Sequence, residues 1–409
     1  MKIKLEKINA QLILTFIIEI LLIRCYSNDL IGQSYLIFIL IILWIILALF
    51  QKKSITYNIK NLSLAVFLLW IFFLCTIFGE LSNGIGNSLR YISLFFGAFL
   101  ISFYKDDINN LRKVFFVAAC TYGYYVVKSI IYYTLHPNVA RLIISHHTDE
   151  YSQVALGGAY GLAYGAALII VFIFMMLLLY WRCLNKKIKF FGIISSILMF
   201  ILCVQIESTI TIISILFGVL ITLVLYSRQK GRKSLTNGII TLFVLVILLI
   251  VVILVRDKLA DWLLSINISS SSSITDRIHE LAISIKSSMV TGVALSGRIK
   301  YYNIAIETII RNPILGSIFY NGYPTQIGLS GHSELLDVFA LYGFFVGLPF
   351  CIWYFSNIKL EMPIIRVGYY FTAVCLLLLN QFTYTSGSFA LFFFVPAGCL
   401  LLKHYFPEY

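Results

Sequence analysis

Seven cations, Arg256, Lys258, Arg277, Lys286, Arg298, Lys300 and Arg311, share one polar stretch with five acids, Asp257, Asp261, Asp276, Glu280 and Glu307. Two readings stand. Either the cations are solvated or paired with those acids, in ion pairs worth about 0–1 kcal/mol, or some of them face an external anion. Arg298 is the strongest case for the second. It follows Gly297 at the start of a helical pattern, where free N–H groups and the helix dipole favour negative charge. His146 and His147, in Ser145-His146-His147-Thr148-Asp149-Glu150, are a rival catalytic or metal pair, or a solvated loop. Asp106-Asp107 has the look of a metal-binding carboxylate pair but lies among Lys105, Arg112 and Lys113, as a loop would. The eight cysteines form no CxxC pair and no Cys/His cluster, so they read as small apolar packing residues. No metal site and no cofactor is expected.

The elements that must position these groups are membrane spans. Of 409 residues, 60% are hydrophobic and 12% charged, far from the roughly one quarter charged of soluble domains. Apolar runs fall at about 8–27, 30–50, 61–79, 89–104, 114–134, 153–181, 190–206, 209–226, 238–255, 333–356, 366–383 and 388–404. The expectation is an all-α polytopic integral membrane protein, a single domain over 1–409 with about 12 transmembrane helices. The net charge of +13 could suggest nucleic acid, but most of the 31 Lys and Arg fall in alternate short connections. By the positive-inside rule both termini are cytoplasmic and no nucleic-acid partner is expected. The first span lacks a small-residue cleavage site and reads as a retained anchor. Charges inside spans cost about 3 kcal/mol at the bilayer centre unless paired, snorkelled or facing a cavity. Glu19, Lys128 and Glu207 are the cases, and Glu19 is the least explained.

One connection differs from the rest. From 256 to 332, between the ninth and tenth spans, the chain makes a long extracytoplasmic loop, and loops of that length are functional or disordered. Within it Ile299, Tyr302, Ile306, Ile309 and Ile310 recur at helical spacing and predict a helix over 298–312, capped by Ser296, stopped by Pro313 and lying on the membrane surface. In the fifth and sixth spans Tyr122, Tyr124, Tyr125, Tyr132, Tyr133, Tyr151, Tyr160 and Tyr164 crowd near Gly157, Gly158, Gly161 and Gly165. They read as an interfacial belt with small-residue packing, or as a sugar or polyprenyl groove.

Ser296-Gly297-Arg298, the helix, Asn312-Pro313-Ile314-Leu315-Gly316, Gly331-His332-Ser333-Glu334-Leu335-Leu336-Asp337 and Tyr342-Gly343-Phe344-Phe345-Val346-Gly347 follow one another in order. With the span count and the loop placement, this order resembles the bacterial O-antigen polymerase and O-antigen ligase superfamily. The resemblance implies a membrane glycosyltransferase using undecaprenyl-pyrophosphate-linked oligosaccharides in the cytoplasmic (inner) membrane. It puts the catalytic histidine on His332 and a pyrophosphate-binding arginine on Arg298. Ligases also carry an arginine near the outer ends of the seventh and eighth spans, where this chain reads Gln205-Ile206-Glu207-Ser208-Thr209. That departure points away from the ligase and leaves a cation to be supplied, by Arg141 first, then Arg90 and Arg277.

Guanidinium is planar, permanently charged and grips phosphate oxygens bidentately, so two or three arginines could stabilise a departing pyrophosphate without metal. A sugar hydroxyl is a weak nucleophile and gains from a base with a pKa near the working pH, which histidine offers. Attack at the anomeric carbon with loss of the lipid pyrophosphate inverts configuration. Taken alone, His332 could equally be a hydrogen-bonded residue at a helix mouth. The expected activity is a repeat-unit polymerase for O-antigen or capsular polysaccharide, with membrane lipid and a chain-length regulator as further partners. The alternatives are a ligase, a lipid-linked oligosaccharide flippase, for which two repeated halves would be the usual sign, and an inactive assembly scaffold.

Overall fold

The computed structural model describes residues 10–27, 35–51, 59–135, 161–206, 209–229, 261–262, 264–265, 275, 279, 293–322, 333–357, 363–379 and 386–406. These form helices α1 (Ala10–Ser27), α2 (Tyr35–Gln51), α3 (Ile59–Ile77), α4 (Leu81–Tyr104), α5 (Ile108–Leu135) and α6 (Leu162–Tyr180). There follow α7 (Lys186–Gln205), α8 (Thr209–Gln229), α9 (Val293–Arg311), α10 (Gly316–Asn321), α11 (Glu334–Asn357) and α12 (Pro363–Leu379). The last, α13 (Gly387–Tyr405), contains a π-helical turn at Ala390–Phe394. Among the described residues α5, α6, α7, α11 and α13 are long and apolar enough to cross a membrane. A sixth is α4 if its segments Leu81–Ile92 and Phe96–Tyr104, bent by 44°, make one span. The protein is an all-α polytopic membrane protein. The expected ninth span, 238–255, lies outside the described residues.

Hydropathy placed two helix starts too late. The fourth span was expected from residue 89, but α4 begins at Leu81 because Asn83, Gly84, Asn87 and Ser88 dilute the apolar signal without breaking the helix. Asn87 even turns its amide back onto the Asn83 carbonyl at 2.9 Å. Arg90, at the very edge of the expected span, is therefore well inside a helix and only 2% exposed. The loop helix begins at Val293, not after a Ser296 cap, so Ser296 is helical and Arg298 sits in the second turn. Arg298 therefore lies past the free N–H groups of the helix start. The stop after Arg311 at Pro313 stands, since proline can donate no hydrogen bond to continue the helix.

Helix α6 is the centre of the bundle, buried on every side from Leu162 to Phe172, as a helix apolar all round should be. It packs on α7, α8, α12 and the first turns of α13. A Cβ at Gly165 would come 2.9 Å from the Tyr122 hydroxyl, and Ser386 donates to the Gly161 carbonyl at 2.9 Å. Tyr122 itself is buried and donates to the Leu162 carbonyl at 2.6 Å. Here the tyrosine and glycine crowding is close helix packing; Tyr124, by contrast, is 63% exposed. The Tyr369 hydroxyl donates to the Leu391 carbonyl in the π turn of α13, where the regular ladder is interrupted.

A polar stripe, Gln11, Thr15 and Glu19, runs at four-residue spacing down α1 and is wholly buried. Thr15 donates to the Gln11 carbonyl at 2.8 Å, which spends its single proton. Its oxygen therefore accepts from both the Trp44 indole at 2.8 Å and the Tyr104 hydroxyl at 2.9 Å, tying α2 and α4 to α1. Among the described residues, neither carboxyl oxygen of Glu19 has a hydrogen-bond partner. The stripe predicts two changes of opposite sign. Thr15→Val orphans two buried donors and destabilises by about 1–3 kcal/mol each. Glu19→Leu removes a buried unsatisfied carboxyl and stabilises by a similar amount. Melting of the purified protein in detergent checks both.

Candidate functional site

The loop helix and the following motifs converge on α11. Helix α9 lies along α11 with Ala305 buried, while Ile306 and Ile310, one turn apart on one face, stay exposed and no part of the described protein covers them. Arg311 pairs with Glu307 at 3.8 Å, an exposed i,i+4 contact of little energetic weight. After Arg311 the chain turns through Asn312-Pro313-Ile314-Leu315 into α10, with the Gly316 N–H donating to the Asn312 carbonyl at 3.2 Å. This turn docks into a break in α11.

The break is at Gly343, whose φ of 72° and ψ of −178° belong to a region open essentially to glycine alone. An uninterrupted helix would send the Phe344 and Phe345 N–H groups back to carbonyls four residues earlier. Instead Phe344 donates to the Pro313 carbonyl at 2.7 Å and Phe345 to the Ile314 carbonyl at 3.0 Å. Gly316, at φ 76°, faces Gly343. A Cβ on Gly316 would come 2.5 Å from the Gly343 nitrogen, and one on Gly343 would come 2.5 Å from the Gly316 nitrogen. The two glycine motifs are thus the two halves of one backbone joint. Helix α10 is also held at its far side, with Ile318 buried and Phe319 in edge contact with Phe78 at 5.8 Å.

The other end of the docked segment is the start of α11. The Ser333 Oγ accepts from the Leu336 N–H at 3.3 Å, an N-cap bond, and the first turn carries two buried acids, Glu334 and Asp337. Glu334 meets Arg90 of α4: one guanidinium nitrogen donates to both carboxylate oxygens, at 2.8 and 2.7 Å. The Tyr91 hydroxyl donates to the same carboxylate at 2.9 Å. Rings of Phe67, Tyr342 and Phe350 surround Tyr91 at 4.9, 6.4 and 6.1 Å, closing the cluster off from water. Arg90 and Glu334 are 2% and 0% exposed.

Of the residues singled out from sequence, His332, Arg141, Arg277 and the His146–His147 pair lie outside the described residues. For Arg298 the backbone is described and the side chain is not. Arg90 is brought to the residue two places after His332, a neighbour that sequence reasoning did not assign to it. Only the pairing of a buried cation with a buried acid could have signalled this. Asp107 caps α5 by accepting from the Asn110 N–H at 3.2 Å and its amide at 2.7 Å, in accord with a loop rather than a metal pair. In the arginine-free stretch after α7, the Gln205 amide donates to Thr134 of α5 at 2.9 Å.

A family model described as O-antigen ligase matches residues 194–351. That match bears out the resemblance to the O-antigen polymerase and ligase superfamily. No curated protein matches the chain. The matched segment runs from within α7, through the long loop, to beyond the Gly343 joint, so it holds the docking turn, Ser333, Glu334 and the break in α11.

Gly343→Ala places a side chain in a disfavoured region and against the Gly316 backbone. Expected is a loss of several kcal/mol, combining about 1–3 kcal/mol of backbone strain with two displaced hydrogen bonds. Gly316→Ala should act alike. Recovery of monodisperse protein from detergent and its melting temperature measure both, with Gly322→Ala as a control, since a Cβ there meets nothing within 4 Å although its φ is also positive.

Proposed function

We propose that the protein is a glycosyltransferase of this superfamily that polymerises undecaprenyl-pyrophosphate-linked oligosaccharide repeats into O-antigen or capsular polysaccharide. The work would take place at the outer face of the cytoplasmic membrane, with both termini cytoplasmic. The observation that carries the reading is the match over 194–351, which contains the jointed segment leading into α11. His332 is the general base for the acceptor hydroxyl. Arg298, with Arg141 and Arg277, neutralises the departing pyrophosphate, and attack at the anomeric carbon inverts its configuration. No metal is needed where guanidinium groups meet the leaving group. Growing and incoming lipid-linked glycans are the substrates, and a chain-length regulator is the expected protein partner.

The ligase stays as a second reading because the matching family model bears that description. The Gln205–Thr209 segment, which holds no arginine, supports the polymerase.

Mass spectrometry of lipid-linked glycans, in cells lacking the protein and complemented with wild type or His332→Ala, tests the choice. A polymerase leaves single repeats on the carrier in the outer leaflet, and wild type alone clears them. Removing a general base costs roughly 10²–10⁴ in rate, enough to keep single repeats in place with His332→Ala. Accumulated long polymer on the carrier would assign the ligase instead. Single repeats confined to the inner leaflet would assign transport, and normal glycans with His332→Ala would overturn the catalytic role.

A further inference from the structure

We infer that Arg90 is a positioning residue: through its buried ion pair with Glu334 it clamps the start of α11, two residues after His332 in the chain, against α4. The inference rests on the proposed role of His332 as base. Arg90 is 2% exposed, and the nitrogen that reaches Glu334 spans both carboxylate oxygens within 2.8 Å. Its charge is thereby balanced inside the bundle, which suits it poorly to a pyrophosphate arriving from outside. Its Cζ also lies 5.3 Å from the centre of the Tyr91 ring, and the Tyr91 hydroxyl holds the same carboxylate at 2.9 Å. Consecutive residues of α4 therefore grip one side chain of α11.

A buried ion pair seldom stabilises a fold more than well-packed apolar residues would, so its value here lies in fixing one arrangement. What it fixes is the first residue of α11, immediately after the Ser333 cap. Covalent geometry alone keeps the Cα of residue 332 within about 7 Å of that of Glu334. A base that must meet a sugar hydroxyl at hydrogen-bond distance loses rate steeply when displaced by about 1 Å. Position is what the clamp supplies, and a positioning defect lowers turnover without weakening substrate binding.

The test uses the full-length protein in detergent with lipid-linked glycan extracted from cells that lack it. Arg90→Gln and Glu334→Gln are expected to lower kcat roughly ten- to a hundredfold at unchanged KM for the lipid-linked donor, and Arg90→Lys to recover part of the loss. A raised KM at unchanged kcat would assign Arg90 to substrate and overturn the inference, as would wild-type values of both. Where Arg90→Gln fails to accumulate, Tyr91→Phe decides, because it removes one hydrogen bond to Glu334 and leaves the charges paired. Expected there is a smaller fall in kcat alone, and an unchanged kcat overturns the inference. Wild-type turnover by His332→Ala would instead sink the reading of His332 as base, a result separate from any of these.

Discussion

Inside a bilayer a backbone N–H released from its helix has no water to turn to, so a broken membrane helix survives only where other protein groups take over its hydrogen bonds. Helix α11 is broken at Gly343, and the two donors released there, Phe344 and Phe345, are taken by the carbonyls of Pro313 and Ile314. The loop cannot leave without stranding those donors, and the break cannot persist without the loop. Facing positive-φ glycines allow the two backbones to approach closely enough for this exchange. The excursion that leaves at Pro313–Ile314 and returns at Phe344–Phe345 thereby has its two ends bonded to each other. The matched superfamily segment contains the whole of it.

The membrane character was legible because apolar runs are long and residue type alone sets their partition. Helix starts were less so. At α4 the polar Asn83, Asn87 and Ser88 made a helix look like a loop, since hydropathy measures transfer into lipid and takes no account of surfaces buried against neighbouring helices. At α9 a serine in the right place for a cap proved helical, because the pattern extends one turn back to Val293. The motif order in 296–347 was legible as an order, and the structure supplies its cause for two pieces: Asn312–Gly316 and Tyr342–Gly347 meet as a joint. The pairing of Arg90 with Glu334 spans 244 positions and carries no local signature. A cation in an apolar helix announces that it needs a partner or a cavity, and says nothing of where that partner lies.

The buried clusters on α1 and at the start of α11 make opposite use of a carboxyl. Glu334 has its oxygens covered by a guanidinium and a phenol, so most of its desolvation is offset by charge-assisted bonds. Glu19 is as deeply buried with neither oxygen bonded among the described residues, although Thr15, one turn away, collects two donors. Burial alone therefore does not mark a functional acid in this bundle. The partners do: Glu334 is reached from α4 by two consecutive residues, while the stripe on α1 satisfies its neighbours and leaves its own acid out.

Residues 323–332 run between two points of the bundle that are each held independently. On one side α10 ends at Asn321, seated by the glycine joint and by Phe319 against Phe78. On the other, Glu334 is held by Arg90 and Tyr91. The entropy of closing a loop depends on where its ends are, and here both ends are fixed by contacts made within the bundle. The membrane helices thus hold Asn321 and Glu334 through contacts that do not depend on one another.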